Sequence, residues 1–244
     1  MRLERILPVF SDENNYVKYS NMKNPGKWLA LTTGLVTLGT FVLAVMTPPL
    51  SGPFCTTGNC FEYPYADIAS RFPRDYWWMF PAMIISLLFV TLLSLIHTDA
   101  SAEKKLFSRI GLSFAIISAV MLISDYFIQV TVIQQSLLSG ETEGIALLTQ
   151  FNPHGIFIAL EEAGFLLMTL ALFASAPAIA WKSRLGKSIR ITMVCGFILA
   201  LLSLASVIYS YGIMREYIFE VAVISIAWTQ LTIFSFLLAA RYSR

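Results

Sequence analysis

The chain has 244 residues, 57% of them hydrophobic types and 13% charged, where a soluble domain carries roughly 25% charged residues. The apolar residues fall in blocks long enough to cross a hydrocarbon layer of roughly 30 Å. No polar stretch between them could hold a separate soluble catalytic domain. The net charge of +2 is uninformative by itself. Basic residues flank the apolar blocks, a pattern of topology signals and lipid-headgroup contacts, so no nucleic-acid partner is expected.

The first 27 residues form a polar tail with Arg2, Arg5, Lys18, Lys23 and Lys27. They are charged throughout and lack an apolar core segment, so no cleavable signal is expected. The first predicted span is Trp28–Thr47. Residues 48–76 follow as a Pro-rich, aromatic connection, in which Pro48, Pro49, Pro53, Pro64 and Pro73 exclude a long helix except around Tyr65–Arg71. Cys55 and Cys60 bracket a Thr-Thr-Gly-Asn spacer with turn chemistry and are expected to form a disulfide. So short a ring stabilises by about 2 kcal/mol. A redox pair is the sharper alternative, but those use the tighter Cys-x-x-Cys spacing. Tyr76, Trp77 and Trp78 read as an interfacial aromatic belt.

The second span is predicted at Trp77–His97, and Lys104, Lys105 and Arg109 lead into the third, Ile110–Ile133. That span carries Asp125, with Gln129 one turn further along the same face. The sequence SGETEG breaks the helix, and IALLTQF is expected as a short interfacial helix. Asn152 and Pro153 then suit the N-cap and first helical position of a fourth span, His154–Ala176. Gly155, Ala159 and Ala163 recur at four-residue steps, as in a small-residue packing seam. Lys182, Arg184, Lys187 and Arg190 precede the fifth span, Ile191–Tyr211, which holds Cys195, a second seam of Gly196, Ala200 and Ser203, and Tyr209 and Tyr211 at its end. After a tight turn with Arg215, the sixth span, Ile218–Ala240, carries Glu220 near its start and Trp228 and Gln230 deeper.

The expected fold is therefore an all-α, polytopic bundle of six membrane helices. A tail (1–27) precedes the bundle (28–240, with a cap at 48–76), and a stub (241–244) follows it. All but Arg71, Arg74 and Arg215 of the 17 Lys and Arg residues fall at one end. Cytoplasmic loops carry such an excess, which places both termini in the cytoplasm and the protein in the cell membrane.

Fifteen acidic residues are present, and the adjacent Glu161 and Glu162 sit inside the fourth span. A charged side chain at the centre of a spanning helix costs about 2.5–3.5 kcal/mol on insertion scales. At 1.5 Å per residue, Glu161 lies about 10 Å beneath His154 and on its face. The third span runs the opposite way, so Asp125 and Gln129 reach the same outer third. Glu220, Tyr209 and Tyr211 are at that level too. Asp125, Gln129, His154, Glu161, Glu162, Glu220, Tyr209 and Tyr211 are the expected ligand-binding residues. Ionisable groups within spans usually face the bundle interior or a watery cavity and mark a functional site.

The expected function is an outward-facing acidic pocket that binds or transports a proton, a cation or a small solute. One alternative is a structural or accessory subunit whose buried carboxyls fix helix packing or bind a membrane-protein partner or a second copy. Another is an intramembrane enzyme acting on a lipid at the outer leaflet. No nucleophile motif, phosphate-binding loop or clustered His and Cys set is present, so no catalytic residue, metal site or cofactor is assigned.

Overall fold

A computed structural model of the protein describes the backbone of residues 12–56, 58 and 60–244. Side chains are described from residue 24 onward, those of residues 57, 59, 66 and 216 excepted. The tail residues Arg2, Arg5, Lys18 and Lys23 lie outside the described side chains.

Six long helices carry the fold: α1 (Asp12–Met46), α2 (Met79–Asp99), α3 (Lys105–Ile128), α4 (Ile156–Ser175), α5 (Arg184–Tyr211) and α6 (Glu216–Tyr242). All six are long and apolar enough to cross a membrane, and among the described residues there are no strands. Pro81 falls in the first turn of α2, where its missing N–H would have had no helical partner. Threonine hydroxyls of α1 are satisfied within the helix. Thr33, Thr37 and Thr40 donate to the carbonyls of Leu29, Thr33 and Val36 at 2.8, 2.7 and 2.8 Å. Where there is no water to bond them, hydroxyls need such an acceptor.

The third helix runs past the predicted span to Leu137 and Leu138, where the sequence leads one to expect its end. It passes through a wide π turn at Gln129–Ile133 and continues as Gln134–Leu138, giving an apolar helical run of 37 residues from Ala102 to Leu138. The turn leaves a backbone carbonyl short of its partner, and Gln134 Nε2 donates to the carbonyl of Gln129 at 3.0 Å. The expected short helix forms at Ile145–Leu148. Asn152 is not the cap of α4, which begins later, with Gly155 at the N-cap. Asn152 instead closes the preceding turn: its Oδ1 accepts from the His154 N–H at 2.9 Å and its Nδ2 donates to Ala146 O at 2.6 Å.

The helices pack as a ring in chain order, with α6 returning to α1, and α4 and α6 also meet across the middle. The α3–α4 pair is the most intimate. Gly111 makes that approach possible: a Cβ there would lie 1.9 Å from Ser175 Oγ and 2.6 Å from the carbonyl of Ala171. Further along, a Cβ on Gly164 would lie 2.7 Å from Leu122, and Ser118 Oγ donates to Gly164 O at 2.7 Å.

The expected seam of Gly155, Ala159 and Ala163 does not line this contact. Gly155 precedes the helix and Ala159 is exposed. The buried face of α4 is set by Glu161, Phe165, Met168 and Leu172, and Ala159 is rotated about 200° from Glu161. In α5 the expected stripe is partly kept. Gly196 and Ala200 are buried against α6, with the Gln230 carboxamide lying over Gly196 and donating to the carbonyls of Thr192 and Met193, both at 3.0 Å.

At one end of the bundle the chain between α1 and α2 folds as a cap. It contains the Cys55–Cys60 disulfide and a short helix, Ala66–Arg71. Phe61 packs edge-on to Phe151 at 5.2 Å and accepts Arg71 over its ring at 5.0 Å. Only Trp77 of the expected aromatic belt faces outward, at 59% exposure. Tyr76 and Trp78 are buried, because the turn before α2 directs them into the bundle beside Phe151 and Tyr126.

Candidate functional site

The antiparallel register of α3 and α4 decides which polar groups meet. Gly111 opposes Ser175, Leu122 opposes Gly164, and Tyr126 opposes Glu161. The carboxyl of Glu161 is fully buried. Its Oε1 accepts a hydrogen bond from the Tyr126 hydroxyl at 2.7 Å. Its Oε2 is buried with no hydrogen-bond partner among the described residues, and Glu220 on α6 is close enough to interact electrostatically with the carboxyl. Asp125, 2% exposed, is close enough to interact electrostatically with Glu161 and Glu220, and its Oδ2 is likewise buried without a bond.

The two adjacent glutamates have different partners. Glu162, about 100° further round α4, forms an ion pair with Arg215 at 2.5 Å. The guanidinium also lies 5.5 Å from the centre of the Phe219 ring.

Beside this cluster lies a cavity of about 400 Å³. Aromatic rings from four elements line it: Phe41 from α1, Trp78 from the turn before α2, Phe157 from α4 and Trp228 from α6. Three of them pack edge to face, Phe41 to Trp228 at 5.8 Å and Trp78 to Trp228 at 6.2 Å. Glu220 and Asp75 are the acidic groups in the wall, and among the described residues no Lys, Arg or His lines it. Asp75 is already paired with Arg74, with Nε–Oδ1 at 2.6 Å and Nη2–Oδ2 at 3.2 Å. Glu220 is thus the cavity carboxyl with no basic partner among the described residues.

The roof of the cavity is hydrogen-bonded. The Tyr217 hydroxyl, at the start of α6, meets Ser51 Oγ at 2.7 Å and donates to Gln150 O at 3.0 Å. Gln150 N–H in turn donates to Gln129 Oε1 at 2.9 Å, and Gln129 Nε2 to Leu148 O at 2.5 Å. We expect Tyr217→Phe to orphan these groups and lower stability by about 1–3 kcal/mol. Thermal denaturation in one fixed detergent checks this; an unchanged midpoint would mean that the roof is held otherwise.

Of the residues expected from the sequence, Asp125, Glu161, Glu162, Gln129 and Glu220 come together at this end. Only Glu220 lines the cavity. Glu161 lies behind it, and Gln129 braces the roof segment. His154 is exposed on the turn before α4. Tyr209 and Tyr211 stand apart, 93% and 52% exposed, since the buried stripe of α5, Gly186, Ile189, Met193, Gly196, Ala200 and Val207, does not include them. Tyr126, Tyr217, Ser51 and Asp75 were not singled out in the sequence. Tyr126 adjoins Asp125, yet no periodicity says that its hydroxyl would find Glu161.

Among the described residues, no group of three His, Cys, Asp or Glu side chains is arranged to hold a metal ion. The six apolar helices mark a multi-pass membrane protein. No family model, curated protein or solved structure matches the chain.

Proposed function

We propose that this is a cell-membrane protein with both termini in the cytoplasm and an outward-facing acidic pocket that binds or transports a proton, a cation or a small solute. Its orientation follows from charge. The connections at the cap end carry Arg71, Arg74 and Arg215, while Lys104, Lys105, Arg109 and Lys182 lie at the other end. The observation that carries the reading is Glu220, which lines a cavity without basic residues and is backed by the buried Glu161.

A purely structural role accounts for part of the cluster: Tyr126–Glu161 and Glu162–Arg215 tie α3, α4 and the α5–α6 turn together. It does not account for Glu220, a carboxyl in the cavity wall with no basic partner among the described residues.

Accessibility tests the pocket. Cys195 is the free cysteine among the described residues and is first replaced by Ser. In that background Ser225→Cys, in the cavity wall, is expected to react with a charged, membrane-impermeant maleimide on intact cells. Ser101→Cys, at the opposite end, should react only after permeabilisation. Labelling of Ser225→Cys only in permeabilised cells would invert the orientation. Labelling only after denaturation would close the pocket and remove the reading.

A further inference from the structure

The chemistry of the cavity narrows its occupant; this step rests on the reading of the cavity as a ligand pocket. A volume of about 400 Å³ falls within the roughly 300–1,000 Å³ of small-molecule sites and far exceeds what a bare ion needs. A hard metal ion takes about six to eight oxygen ligands, and the wall supplies one carboxyl that is not already paired. An anion would meet Glu220 and Asp75 with no lining cation.

Much of the remaining wall is aromatic and aliphatic. The rings of Phe41, Trp78 and Trp228 line the same cavity as the half-buried Glu220. Aromatic faces attract a weakly hydrated cation while also burying its apolar parts. The rim suits the same chemistry: Val45 of α1 and Val221 of α6, both exposed, flank it beside Pro48 and Pro49.

We propose that the cavity takes an organic ammonium ion carried on an apolar body. Its charge sits against Glu220 and its body among Phe41, Trp78 and Trp228. Glu162 and Asp75 are held by Arg215 and Arg74, so Glu220 is the carboxyl left to meet a cation.

The probe is phenyltrimethylammonium, whose charge does not titrate, set against its neutral carbon isostere tert-butylbenzene. Calorimetry uses the full chain in nanodiscs of a neutral glycolipid, with empty discs as the blank. The cation is expected to bind and the isostere to bind at least about tenfold more weakly. Glu220→Gln should abolish the preference for the cation. Trp78→Leu, which keeps every carboxyl, should weaken the cation more than the isostere, so the test does not depend on one variant folding.

Adding phosphatidylethanolamine distinguishes the source of the ammonium. Competition with the probe identifies a lipid headgroup, and its absence identifies a free cation; either agrees with the proposal. Equal binding of cation and isostere would overturn the ammonium assignment but keep the pocket. No binding of either would overturn the assignment too. Only if the wall cysteine were also unreactive would the pocket reading fall with it.

Discussion

Glu161→Ala should be the most damaging single change in the carboxyl cluster, lowering stability by about 3–5 kcal/mol. The side chain is fully buried, so its removal leaves a void and orphans the Tyr126 hydroxyl. Void formation and a lost buried hydrogen bond each cost about 1–3 kcal/mol or more. Glu161→Gln should behave differently. Its amide oxygen can still accept from Tyr126, so stability should stay within about 1 kcal/mol of the parent.

The two variants therefore separate the volume and hydrogen bond of the side chain from its charge. Thermal denaturation in one fixed detergent measures the difference. If Gln destabilised as much as Ala, the carboxyl would be acting as a packing element whose shape is insufficient. If Ala were tolerated, the α3–α4–α6 junction would not depend on this side chain.

The second large effect is steric and lies at the other end of α3. Gly111→Val should destabilise by about 3 kcal/mol, the upper part of the usual range for overpacking. The added Cβ would meet Ser175 Oγ at 1.9 Å and the Ala171 carbonyl at 2.6 Å. A hydroxyl can rotate away, but a backbone carbonyl inside a helix cannot move without shifting α4. Adding Ser175→Ala to Gly111→Ala should accordingly rescue only part of the loss. Gly39 is the control: nothing lies within 4 Å of a Cβ there. Gly39→Ala should be neutral or stabilise by up to about 1 kcal/mol through helix propensity. Equal thermal midpoints for the Gly39 and Gly111 variants would mean that α3 and α4 are not in contact at Gly111.

These two sites differ in how far they can be read from the chain alone. Glu161 stands out in sequence because an acid in an apolar block is costly wherever it points. Gly111 does not stand out, since glycine is unremarkable in a membrane helix. Its role comes from Ser175 and Ala171, residues far along the chain that a close crossing brings opposite it. The Gly155, Ala159 and Ala163 spacing looked more like a contact seam. It failed because the start of α4 and the rotation of its buried face are set by neighbours, and periodicity does not fix either.

The sequence by itself determined six apolar helical segments, the Cys55–Cys60 bridge and the common depth of Asp125, Glu161 and Glu220. Each is local, since segment length, ring closure and distance along a helix follow from position in the chain. Only the tertiary structure decided azimuth and neighbours. It turned Glu161 toward Tyr126 and Glu220, gave Glu162 to Arg215, drew Tyr76 and Trp78 inside and left Tyr209 outside. A helix rotates about 100° per residue, so which partner a side chain meets depends on packing against other helices, and that information is spread over the whole bundle.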